Sequence, residues 1–244
     1  MKKILTTAIL CAGLVGFTAC DSFLDEDPKS SLTLDTYYKT SADIIGNVNY
    51  LYRDGAPDKM GNMTGAYRGS SLSVMNMVTG YFVNEYEGQE VDCSYARQLN
   101  RQDFTQSCCN YLTNNTWKDC YKSINVANAV IKYVDGVEMD NQAQYKAEAR
   151  FFRALNYFYL VKMFGDVPMV TEPTEDATLV DYPARTAASE VYSTIIIPDL
   201  LFAVENLPNA TFAGNSHRVT KYAADMLLAD VYMRLGEYAN AVTP

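Results

Sequence analysis

Residues 79–100 read TGYFVNEYEGQEVDCSYARQLN, and they bring Tyr81, Asn84, Glu85, Tyr86, Tyr95 and Arg97 close together in the chain. The chemistry these side chains offer is non-covalent recognition of a polar ligand. A tyrosine ring covers an apolar face and carries a polar tip, while amide, carboxylate and guanidinium groups meet hydroxyls as donors or acceptors. Gly80 and Gly88 interrupt any helical period here, so the segment reads as loop, where binding residues concentrate. The competing reading is that the tyrosines pack on a helical scaffold. Catalysis has less to build on. Glu85, Glu87 and Glu90 could be imagined as a hydrolytic carboxylate pair. In so acidic a chain they read as a solvated face, and no second catalytic element accompanies them. The sequence has one histidine, His217, and no Cys-x-x-Cys pair or phosphate-cradling glycine loop. No enzyme, metal or cofactor is expected.

A second reactive group stands at Cys20, in LVGFTACDSFLDEDPKS (14–30). Lys2 and Lys3 precede an apolar run over 4–17. That run is too short for a membrane-spanning helix, which takes about 20 residues, but it fits the core of a secretory signal. The junction Phe17-Thr18-Ala19-Cys20 is similar to a lipobox, in which the cysteine is acylated and becomes the first mature residue. Residues 1–19 then form the signal peptide and 20–40 an acidic tether and docking segment. Acyl chains anchor by about 0.8 kcal/mol per buried methylene. An ordinary signal followed by an unmodified Cys20 is the alternative.

Removing residues 1–19 takes two of the 20 basic residues and none of the 29 acidic ones, leaving 18 against 29 and a net charge of −11. Such a chain repels nucleic acid. With 48% hydrophobic and 20% charged residues it is globular. Four further cysteines, Cys93, Cys108, Cys109 and Cys120, would enter an exported protein. A disulfide through Cys93 or Cys120 and small buried thiols both stand open; the neighbours Cys108 and Cys109 would bridge each other only with strain.

The positioning elements are helices. Thr40-Ser41 caps one carrying Ile44, Ile45, Val48, Leu51 and Tyr52 on a face. From Gly55 to about Cys109 glycines recur and no helical period is sustained, which predicts loops and short elements. From Thr116, the residues Trp117, Cys120, Tyr121, Ile124, Ala127, Asn128 and Ile131 form an amphipathic stripe closed by Gly136. Its place in that stripe assigns Trp117 to packing rather than ligand stacking. A helix over 142–164 follows, with Ala147, Phe151, Ala154, Leu155, Phe158 and Val161 on one face and Gly165 at its end. A third starts near Thr186, with a kink or break expected at Pro198 and an end at Pro208. The fourth spans 219–235, with Lys221–Asp225 and Asp230–Arg234 as opposite-charge pairs. In LLADVYMRLGEYANA, Leu228, Tyr232, Gly236, Tyr238 and Ala241 have the spacing of a tetratricopeptide turn. The expected class is mostly α, an α-solenoid of such helix pairs with an irregular, loop-rich segment in the N-terminal third. The last repeat stops one turn into its second helix. The domain over 41–244 is therefore expected to be truncated at its C-terminus.

Four blocks carry a family resemblance: CDSFLDEDPKS, TWKDCYKSINVANAVI (116–131), AEARFFRALNYFYLVKMFGDVPMV (147–170) and RVTKYAADMLLADVYMRLGEYANA (218–241). Together they make the chain similar to the N-terminal half of SusD/RagB-type outer-membrane nutrient-binding lipoproteins of Bacteroidetes. Pro198 departs from the small residue expected of the family. The resemblance implies a surface-exposed lipoprotein, held in the outer membrane through Cys20, that delivers a glycan to a SusC-like TonB-dependent transporter. Delivery of peptides by the same route, or a helical-repeat adaptor with no ligand, are the alternatives. It also implies that most of the ligand face lies beyond Pro244. Within the chain, Tyr81, Asn84, Tyr86, Tyr95 and Arg97 have the types a sugar site uses.

The lipobox reading predicts that Cys20→Ala abolishes acylation and releases the protein from the membrane. A variant that still fractionates with the outer membrane and still takes up a palmitate analogue contradicts it.

Overall fold

A computed structural model describes residues 33–53, 78–82, 98, 100–103, 106–174 and 183–242, excluding the side chains of 35, 53 and 106–115. The chain divides into two compact units, residues 1–37 and 38–244. In the first, the described part is a single helical turn, α1 (Leu34–Tyr37), where the Thr36 hydroxyl donates to the Thr33 carbonyl at 3.0 Å.

The second unit is built of helices that pack on their neighbours in chain order: α2 (Ser41–Arg53), α3 (Gln106–Tyr133), α4 (Gln142–Phe164), α5 (Ala188–Val191), α6 (Ile197–Asn206), α7 (Lys221–Leu235) and α8 (Tyr238–Val242). A two-residue antiparallel ladder pairs β1 (Val167–Pro168) with β2 (Arg185–Thr186). Most of the predicted loop-rich segment lies outside the described residues.

At the start of α2 a capping box closes. Asp43 Oδ2 accepts from the Thr40 amide at 2.8 Å and the Thr40 hydroxyl at 2.7 Å, and the Asp43 amide donates to Thr40 Oγ1 at 3.4 Å. Behind the cap, Ile44, Val48 and Leu51 enter the core. α3 begins at Gln106, ten residues before the expected start. Its first ten residues are too polar to show a period, and they extend a helix nucleated by the stripe that follows. Gly136 does not take a left-handed cap. The helix tightens into a 3₁₀ turn over Val134–Gly136 and leaves through extended Val137.

α4 has the expected bounds. Twelve of its 23 residues are buried, including Phe151, Phe152, Ala154, Tyr157, Phe158, Leu160 and Val161. It therefore runs through the core rather than along it. The helical run over 188–206 is interrupted just before Pro198. A π-turn over Tyr192–Ile196, with the Ile197 amide donating to the Tyr192 carbonyl, joins α5 to α6. This wider turn absorbs the ring and the missing amide of Pro198. α6 ends at Leu207, extended as a residue before proline must be. α7 closes on left-handed Gly236 (φ 76°), where the Glu237 amide donates to Tyr232 and the Gly236 amide to Met233. Lys221 and Asp225 pair at 3.5 Å, whereas Arg234 lies over the Phe158 ring at 5.7 Å.

Two buried ionic clamps hold α4. Arg153 Nε and Nη2 donate to the two carboxylate oxygens of Asp199 on α6 at 2.7 and 2.9 Å, and Nη1 donates to Asn128 Oδ1 on α3 at 2.9 Å. Burial pushes the Asp199 carboxyl up, against the pull of Arg153 and Arg150. Glu148, fully buried, accepts from Arg218 Nε and Nη2 at 3.0 and 2.6 Å and from Tyr52 Oη of α2 at 2.9 Å. Arg218 Nη1 reaches Asn49 Oδ1 at 2.8 Å. Ser216 and His217, just before Arg218, sit at φ 51° and 62°. Left-handed geometry is costly for such residues; the turn is held by the His217 amide donating to the Phe212 carbonyl and Asn215 Nδ2 donating to the Val219 carbonyl, both at 2.9 Å.

Asp199→Ala leaves Arg153 charged and without its carboxylate in the core and is expected to cost about 3–5 kcal/mol in urea denaturation. The double replacement Arg153→Met/Asp199→Leu is expected to recover most of that. A single variant within about 0.5 kcal/mol of wild type contradicts the clamp. A second expectation concerns acid. The Thr40 hydroxyl and amide hold the Asp43 carboxyl below its ordinary value. The unfolded chain thus binds the proton first as pH falls. The cap's contribution is complete above the unfolded value and is lost as pH drops through the folded one. Asp43→Asn should flatten the stability–pH slope below about pH 4; an unchanged slope contradicts the cap.

Candidate functional site

Among the sequence-predicted site residues, Tyr81 is described; Asn84, Tyr86, Tyr95, Arg97 and the lipidation candidate Cys20 lie outside the described residues. Tyr81 follows a turn through Thr79 and Gly80, with Gly80 at φ 78°, a region open to glycine at no steric cost. The Tyr81 amide donates to Thr79 Oγ1 at 3.2 Å. Phe82 follows, and its carbonyl accepts from Asn100 Nδ2 at 2.6 Å. The 98–103 segment closes on itself, the Asp103 amide donating to the Gln98 carbonyl at 2.9 Å. A short aromatic turn is thus tied at both ends to polar backbone and side-chain groups.

Both rings are left in water. Tyr81 is 91% exposed and Phe82 54%. Folding ordinarily buries such rings for about 1.5–3 kcal/mol each, and an adjacent exposed pair forgoes that. What the arrangement offers is flat apolar surface with a free phenol beside it, suited to covering the C–H face of a ring-shaped polar ligand.

The helix tyrosines behave differently. Tyr121 Oη donates to the Pro168 carbonyl at 2.6 Å. Tyr157 Oη donates to the Val170 carbonyl at 2.9 Å and accepts from the Val170 amide at 2.7 Å. Burial pushes the Tyr157 hydroxyl up to about 12 and raises Tyr121 and Tyr52 as well, so all three stay neutral donors. They staple the segment after α4 and the α2–α4 contact. Trp117, half-buried, packs edge-on against Phe164 at 5.1 Å and beside Tyr121 at 5.0 Å. Cys120 is a buried free thiol, raised by burial, so the open disulfide alternative closes at that residue. Cys93 and the side chains of Cys108 and Cys109 fall outside the described residues. Within the described residues no group of three or more His, Cys, Asp or Glu side chains is placed to hold a metal. Likewise no described helix is long and apolar enough to cross a membrane.

Sequence reasoning missed the clamp residues. The signals available were Asn128 on an apolar stripe, and Asp199 inside the apolar run IIIPDLL.

The SusD-like family model described as "Starch-binding associating with outer membrane" matches residues 22–233. SusD-like protein P2 of Formosa agariphila is 30% identical over 244 residues, covering 99% of this chain and 45% of the relative. The starch-binding protein SusD of Bacteroides thetaiotaomicron is 25% identical over 260 residues, covering 98% of this chain and 42% of its own. A laminarin-binding SusD-like protein of known structure superposes with a TM-score of 0.69 at 25% identity, over 84% of this chain and 43% of that one. A surface glycan-binding protein A from Bacteroides fluxus shares the fold, with a TM-score of 0.65 at 22% identity over 82% and 41%. The chain spans less than half the length of the relatives it matches. With a family match across nearly its whole length and the expected run of packed helices beneath it, the chain belongs to the SusD-like family.

Proposed function

We propose that the chain is the scaffold-bearing part of a cell-surface lipoprotein that binds glycan and hands it to a TonB-dependent transporter in the outer membrane. Cys20 supplies the anchor and residues 20–40 the tether. Binding, not catalysis, is the role. The observation that carries this reading is the exposed Tyr81–Phe82 pair on a tethered turn. A folded chain that keeps two adjacent rings in water, while sinking its helix tyrosines into staples, has a surface suited to sugar rings. The names of two relatives point the same way, one starch-binding and the other laminarin-binding. Asn84, Tyr86, Tyr95 and Arg97 follow on the same stretch of chain and complete the proposed site with an amide, two more rings and a guanidinium.

Calorimetry with laminarin and soluble starch tests this. Tyr81→Ala is expected to weaken binding about tenfold, the worth of one aromatic contact. It should leave unfolding within about 0.5 kcal/mol of wild type because the residue is 91% exposed. Full binding by both Tyr81→Ala and Phe82→Ala contradicts the site.

A further inference from the structure

We draw no further inference here: the strongest candidate, the exposed apolar stripe of Tyr222, Met226 and Met233 on α7, on the side opposite its buried Ala224, Leu228 and Val231, carries nothing because nothing in the structure shows what covers it.

Discussion

The fold depends on charges that α4 carries into the core. Glu148 and Arg153 lie five residues apart on one helix and engage opposite partners, Arg218 before α7 and Asp199 on α6. Each ion loses water on burial, a cost of several kcal/mol that only well-formed hydrogen bonds offset. Both sites meet that condition: Arg153 uses three nitrogens, and Glu148 accepts from a guanidinium and a phenol. Apolar stripes alone would let these helices slide by a turn at modest cost. A one-turn slip here strands a charge without a partner. The clamps therefore set registry, and registry sets where the first turns of α2 and α4 meet.

That consequence reaches the surface. Arg218 closes its clamp on Glu148 and at the same time lies over the Tyr52 and Tyr145 rings, at 4.8 and 5.4 Å. One guanidinium thus links the loop before α7, the end of α2 and the first turn of α4. The Tyr81 turn is organised by lighter means, a left-handed glycine and the Asn100 amide.

Sequence periodicity revealed the helices where a stripe and a stop signal coincided. α4 is the clearest case, with its aromatic face and Gly165. The start of α3 was hidden because 106–115 is polar and helical only by extension. Pro198 marked the place of an irregularity but not its form, since the π-turn is a response to packing on both sides. Tyr81 was legible by type, while its exposure became apparent only from the turn that holds it. The Glu148–Arg218 clamp was not legible at all, because its two members stand 70 residues apart in the chain and meet only through tertiary packing.

The central claim is that exposed aromatic rings on this scaffold meet the C–H faces of neutral sugars. Saturation-transfer NMR addresses it directly, by irradiating aromatic protons of the protein in the presence of laminarin oligosaccharides. The account predicts transfer to the ring C–H protons of the sugar, strongest on one face and abolished when Tyr81 and Phe82 are both replaced by alanine. Sugar resonances that gain no saturation, or gain it equally in that double variant, would contradict it.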